Sequence, residues 1–313
     1  MTKKILITPA MDQFVGQKIK DRGIEPVIVD GQKEQQILEQ ASDVDGIILM
    51  SDPFPNSMFA KMPNLKVLAR QGVGYDNVDA KFAAEQGVWV TNTPGGNATE
   101  VAESTIANML ILSKHLFTIS TKMRDGDNSY GEKMMATQIS GKTLGIVGYG
   151  HIGQAVAKMA AGFGMNVLVY NRTPREIEYG KQVAWDELFT KSDYVSLHLP
   201  AVKGTIGSVA KHEFEMMKDS AYLVNLGRGP LVNETDMVDA LQHHHIAGAG
   251  LDVFDTEPLP MDSPIRKLDN VFMTPHCSGN SVEAWNQMAN AALNNILNVL
   301  DGKKPNTPVN EVK

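Results

Sequence analysis

Gly148-Tyr149-Gly150-His151-Ile152-Gly153 is the stretch that decides the fold. Glycine is common, and a G-x-G-x-x-G spacing alone carries little. Here the run follows the apolar segment Leu144-Gly145-Ile146-Val147 and opens one containing Ala155, Val156, Ala157 and Met159. A buried strand, a glycine turn and a helix in that order make a dinucleotide-binding unit. Gly148 permits the tight turn, Gly150 lets the backbone approach a pyrophosphate, and Gly153 lets helix and strand pack closely. His151 and Ile152 stand at the helix amino terminus, whose unpaired N–H groups and partial positive charge favour phosphate.

The next strand ends at Val169-Tyr170, and the residues after it are those that meet the adenosine ribose. NAD sites place a carboxylate there. This chain has Asn171-Arg172-Thr173, with Arg175 just beyond. A carboxylate repels a 2′-phosphate, whereas Asn, Thr and a guanidinium bind one. NADP(H) is therefore expected over NAD(H). NAD(H) stays possible, because Arg172 also suits a solvated loop position stacking on adenine.

On both sides of the turn, short apolar runs alternate with amphipathic segments. Before it, strands are expected at Lys4–Pro9, Val27–Asp30, Gly46–Met50, Val67–Arg70 and Val88–Asn92, with helices at Gln13–Asp21, Lys33–Gln40 and Val78–Gln86. From the turn onward, Thr143–Val147, Val167–Tyr170, Tyr194–His198, Ala221–Asn225, Gly250–Phe254 and Val271–Thr274 continue the series. The pattern predicts an α/β chain with two doubly wound parallel sheets. Between the two series, Asn97–Ser120 reads as one helix, apolar on more than one stripe. It is expected to be buried on two sides, at a domain or subunit interface, with a place inside a single core as the alternative. Ser281–Leu300 reads as a last helix.

The chain has 313 residues, 42% hydrophobic and 21% charged, with a net charge of -7. These values fit a globular protein of one large or two ordinary domains. No basic stripe suggests nucleic acid. The apolar stretch from Val101 to Ile119 carries Glu103, Lys114 and His115, so no membrane span is expected. One cysteine and no targeting signal point to the cytoplasm.

Three strand ends carry unusual chemistry. Val224-Asn225-Leu226-Gly227-Arg228-Gly229 puts an arginine on a glycine-flanked loop. Leu251-Asp252-Val253-Phe254-Asp255-Thr256-Glu257-Pro258 presents three acids, and Met273-Thr274-Pro275-His276 presents a histidine. Reduction of a 2-keto acid needs a proton donor beside the oxygen, for which histidine suits neutral pH. It needs a cation for the substrate carboxylate and carbonyl, which a planar guanidinium provides. A carboxylate beside the histidine would raise its pKa and fix its tautomer. His276, Arg228 and Glu257 fill those roles, although a core histidine, a loop arginine and an N-cap acid are the commoner identities of each alone.

At this point the sequence resembles the D-isomer-specific 2-hydroxyacid dehydrogenase family. The resemblance rests on Gly72-Val73-Gly74-Tyr75-Asp76-Asn77-Val78-Asp79, Asn92-Thr93-Pro94-Gly95, Val101-Ala102-Glu103 and the glycine turn. It continues through Asn225-Leu226-Gly227-Arg228-Gly229, Gly248-Ala249-Gly250-Leu251-Asp252-Val253-Phe254, Glu257-Pro258 and Pro275-His276. It implies a flavodoxin-like substrate domain, 1–97 plus 281–313, interrupted by a Rossmann domain at 98–280, with the active site in the cleft. It also implies a homodimer built on the cofactor domains, to which the Asn97–Ser120 helix contributes. By the same resemblance Arg228 binds substrate, His276 is the acid/base and Glu257 supports it. Val73 and Gly74 would hold the substrate carboxylate through backbone N–H groups, and Leu199, Leu226, Asp252 and Ser278 would line the ribose and nicotinamide. Asn171 departs from the family's usual Asp.

The expected activity is hydride transfer between NADP(H) and a small 2-keto or 2-hydroxy acid, such as glyoxylate or hydroxypyruvate. The alternatives are an NAD-linked 3-phosphoglycerate dehydrogenase and a dinucleotide-sensing, corepressor-like binding protein. Cys277 reads as a small filler beside His276, and Met50 as a possible lining of the substrate pocket. His243-His244-His245 reads as the end of a helix over Glu234–Gln242, where histidines suit the dipole, and three adjacent side chains on one turn cannot all face one ion. No metal is expected.

Overall fold

The computed structural model describes residues 2–312. The chain divides into two compact units, one formed by residues up to Asn97 and from Asn280 on, the other by Ala98–Gly279.

The first unit is a five-stranded parallel sheet of β1 (Lys4–Ile7), β2 (Glu25–Ile28), β3 (Gly46–Leu49), β4 (Val67–Arg70) and β5 (Trp89–Thr91). Their spatial order β2-β1-β3-β4-β5 is the flavodoxin-like doubly wound order. Pro26 is tolerated because β2 lies at an edge, where a missing N–H breaks no ladder. Alternate residues feed two cores. Leu6, Ile47, Leu49 and Leu68 face one, under the Glu34–Ala41 helix. Ile5, Ile7, Ile48, Val67 and Ala69 face the other, against Ala289, Ala292, Leu293 and Ile296 of the Val282–Leu300 helix. Gly46 admits that helix, since a Cβ there would meet Ile296 at 2.8 Å. The final residues close the β5 edge, Val309 N–H donating to Val90 and Asn310 accepting from Val90 N–H.

The second unit is a seven-stranded parallel sheet of β6 (Thr143–Val147), β7 (Asn166–Tyr170), β8 (Lys181–Gln182), β9 (Tyr194–Leu197), β10 (Tyr222–Asn225), β11 (Gly248–Leu251) and β12 (Val271–Met273). The order β12-β11-β10-β9-β6-β7-β8 reverses direction between β6 and β9, as in Rossmann sheets. Helix His151–Gly162 follows β6 and buries Gly153, Val156, Ala157 and Ala160.

Three expectations need correction. The Asn97–Ser120 segment is not one helix: Ala98–Ser113 and Leu116–Arg124 are separate, broken where His115 takes φ +52°. Ala98–Ser113 packs inside its own unit, with Val101, Ile106 and Met109 in the core that Leu144, Ile146 and Val156 form. Its breadth of apolar residues reflects that core, whereas Leu116–Arg124 buries none of its residues. The strand expected at Gly250–Phe254 lies earlier, at Gly248–Leu251. Its glycines admit close neighbours, a Cβ on Gly250 meeting Asn108 Oδ1 at 2.5 Å, while Val253 and Phe254 are buried anchors of the following loop. The strand β8 and helices Trp185–Lys191 and Lys211–Met216 add to the elements that the sequence pattern predicts.

Candidate active site

The phosphate-binding turn is built as tightly as the glycine spacing requires. Gly148 has φ +100°, and a Cβ on it would meet the His198 carbonyl oxygen at 2.6 Å. β6 and β9 therefore touch at the point where strand order reverses. A Cβ on Gly153 would strike the Gly148 carbonyl at 2.1 Å, so only glycine lets the helix start here. Gly150 differs: its missing Cβ faces open space, nothing lying within 4 Å. That clear approach, ahead of the twelve-residue helix His151–Gly162, fits a dinucleotide pyrophosphate. His151 is exposed and Ile152 half-buried at this end.

Beyond β7, Asn171 braces the turn. Its Oδ1 accepts from Tyr149 N–H at 3.3 Å, and its Nδ2 donates to Thr173 O at 2.7 Å. Arg175 donates to Tyr149 O at 2.6 Å, which ties its side chain to the glycine turn. Arg172 and Thr173 are exposed. Among the described residues, Arg172 makes no hydrogen bond or ion pair.

His198 was missed by sequence reasoning, although Leu197-His198-Leu199-Pro200 is a strand end closed by a breaker. Its Nε2 pairs with Ser196 Oγ at 2.8 Å, while its Nδ1 is shut from solvent without a partner. Burial pushes its pKa down to about 4, so the ring is neutral. Leu199 is half-buried beside it and Leu226 is buried after β10.

Arg228, Glu257 and His276 follow the carboxyl ends of β10, β11 and β12, three adjacent strands. The arginine loop is fixed by buried Asn225, whose Nδ2 donates to Arg228 O at 2.9 Å and whose Oδ1 accepts from Gly227 N–H at 3.2 Å. Gly229 then lets this loop rest on the one that leads to Glu257. A Cβ there would lie 2.0 Å from the Phe254 carbonyl carbon.

His276 Nδ1 and Glu257 Oε2 are 2.6 Å apart, and Glu257 Oε1 accepts from Phe254 N–H at 3.1 Å. Partial burial opposes charge on Glu257, but these two bonds, with His276 and Arg228 nearby, outweigh it and hold the carboxyl below the usual glutamate value. A charged acceptor on Nδ1 leaves Nε2 as the outward nitrogen. His276 is half exposed and has φ +52°, a conformation that costs a non-glycine residue energy and persists where the surroundings over-determine it.

Asp252 supplies much of that determination. Fully buried, it accepts from Thr274 Oγ1 at 2.6 Å and from the N–H groups of Cys277 and Ser278 at 2.9 Å each. Its own carbonyl accepts from His276 N–H at 2.8 Å. Ser278 is held a second way, its carbonyl accepting from Ser104 Oγ at 3.0 Å. Burial raises the Cys277 thiol pKa, so it is a neutral side chain here.

In the first unit, Val73 and Gly74 follow β4 on a loop held by Asn92, whose Nδ2 donates to Val73 O at 2.8 Å. Val73 is 38% exposed. Among the described residues, no hydrogen bond uses the N–H of Val73 or Gly74.

Known proteins resemble this chain over most of its length. A sequence model described as D-isomer specific 2-hydroxyacid dehydrogenase, NAD binding domain, matches residues 106–278. A glyoxylate reductase of Korarchaeum cryptofilum is 35% identical over 319 residues, covering 95% of both chains. A D-3-phosphoglycerate dehydrogenase of Archaeoglobus fulgidus is 32% identical over 98% of this chain but 59% of its own length. Among solved structures, an acyclic imino acid reductase in complex with NADPH and D-Arg superposes with TM-score 0.88 at 29% identity, over 98% of this chain and 99% of that one. With two parallel α/β sheets, a glycine turn at the Rossmann switch point and a histidine–carboxylate pair beside an arginine, the chain belongs to the D-isomer specific 2-hydroxyacid dehydrogenases, NAD(P)-dependent oxidoreductases that act on CH–OH groups.

Proposed function

We propose that this protein reduces small 2-keto acids to D-2-hydroxy acids and prefers NADP(H), with glyoxylate and hydroxypyruvate as its substrate class. The observation that carries the reading is the grouping of Arg228, Glu257 and His276 on three neighbouring strand ends, with the His276–Glu257 contact at 2.6 Å.

The bound nicotinamide supplies or accepts the hydride. The chain's own residues do the rest. Gly148, Gly150, His151, Ile152 and Gly153 hold the pyrophosphate through the turn and the helix amino terminus. Leu199, Leu226, Asp252 and Ser278 line the ribose and nicotinamide, Asp252 acting through the loop it braces. Arg228 grips the substrate carboxylate and polarises the carbonyl with two parallel donors. Val73 and Gly74 carry backbone N–H groups without a partner among the described residues, which suit a carboxylate. His276 Nε2 gives its proton to the carbonyl oxygen during reduction and recovers it in the reverse direction. Glu257 keeps Nδ1 protonated, so Nε2 alone exchanges protons.

NADP(H) preference rests on Arg172. Asn171 uses its side chain to brace Tyr149 of the glycine turn and Thr173 of its own loop. The exposed guanidinium of Arg172, with the Thr173 hydroxyl, is left for a 2′-phosphate. Kinetics of a 2-keto acid panel with NADPH and NADH test the proposal. A clear NADH preference would refute the cofactor reading, and strict dependence on a phosphorylated substrate would favour the phosphoglycerate reading. We also infer a homodimer, a reading that the exposed Leu116, Phe117 and Met123 of helix Leu116–Arg124 support. Sedimentation of wild type and F117E checks it, since a charge at a buried contact should yield monomers.

A further inference from the structure

His243-His244-His245 has no part in the catalytic reading, and its backbone is more specific than its sequence suggests. Helix Glu234–Gln242 is followed by His243, and His244 takes a left-handed conformation, φ +53°. His245 N–H donates to Ala240 O at 2.8 Å and His244 N–H to Leu241 O at 3.4 Å, the paired bonds of a Schellman end. This turn folds the chain back over the last helical turn. The rings of His243 and His245 come to lie 6.0 Å apart, centre to centre. Asp239, four residues before His243, adds its carboxylate to the same face, 3.1 Å from His243 Nδ1. One ligating atom from each of Asp239, His243 and His245 lies within 4.8 Å of the other two. Among the described residues no other group of three is so placed, and His244 is not part of this one.

We propose that Asp239, His243 and His245 form a surface site for a divalent transition-metal ion of the Zn²⁺ or Ni²⁺ type. Two imidazoles and one carboxylate match the ligand preference of those ions, whereas Ca²⁺ and Mg²⁺ favour all-oxygen sets. Bonds of about 2.0–2.2 Å require the donors to close up by roughly an ångström. All three side chains are exposed, so rotamer changes suffice, and water completes the shell. The site precedes β11, at its amino end, whereas Arg228, Glu257 and His276 follow carboxyl ends of the same sheet. Metal binding there ties helix to turn without entering the catalytic loops.

The test is calorimetric titration of Zn²⁺ into the untagged full chain. H243A and H245A should each weaken the site about tenfold or more, and D239N should weaken it less. H244N should bind like wild type, because Asn tolerates the left-handed position. The H243A/H245A double variant should keep full 2-keto acid reductase activity. Zn²⁺ binding that survives the double variant, that fails equally in H244N, or that is absent from the wild type would overturn the proposal.

Discussion

At the scale of single residues, chemistry is concentrated in atoms whose alternatives the structure has removed. Glu257 and its N–H partner leave His276 one free nitrogen, and the buried carboxylate of Asp252 holds the left-handed loop that presents it. His276→Ala should lower kcat by about 10²–10⁴-fold, the usual worth of a positioned acid/base, while cofactor affinity stays near wild type. Arg228→Lys should cost about 10²–10³-fold in kcat/KM, since an ammonium cannot reproduce a planar fork. Steady-state kinetics beside equilibrium NADPH binding check both. Arg172→Ala should raise the KM for NADPH about ten- to a hundredfold and leave that for NADH almost unchanged, as expected for one charge-assisted contact. Equal effects on both cofactors would locate Arg172 at the adenine instead.

At the scale of elements, the glycines decide. Gly153→Ala places a methyl against backbone that cannot rotate away, so the helix must retreat from Gly148. About 1–3 kcal/mol of stability should be lost, with weakened cofactor binding, read by denaturant unfolding and NADPH titration. These elements were legible in the sequence because glycine spacing and apolar alternation are local signals. The strand ends bearing Arg228, Glu257 and His276 could be read for the same reason. What escaped was set by distant partners. Nothing within the residues up to Ser120 announces the break at His115, and the edge strand Lys181–Gln182 is too short for any period. His198 passed unnoticed because its importance comes from Gly148 and Ser196, brought beside it by the crossing between β6 and β9. The sequence marks Asp252 as a cofactor residue, but the three donors on its carboxylate come from a loop that only the fold brings to it.

At the scale of the whole molecule, half-buried His198, its Nδ1 shut from solvent, links the cofactor sheet to pH. Folded, it stays neutral to about pH 4, whereas an unfolded histidine protonates near 6.5. The unfolded chain therefore binds more protons in that window, and stability must fall as pH drops from 6.5 towards 4. Thermal unfolding across that range should show the decline, and His198→Asn should flatten it. An unchanged slope would mean that other groups control acid sensitivity.

Hydride transfer to a 2-keto acid at these strand ends is checked by one comparison. Wild type and His276→Ala are each given NADPH with glyoxylate or hydroxypyruvate, and cofactor oxidation is followed. The wild type should oxidise NADPH with turnover, while the variant binds NADPH but scarcely oxidises it. Undiminished oxidation by the variant, or none by the wild type with any 2-keto acid and either cofactor, would contradict the account.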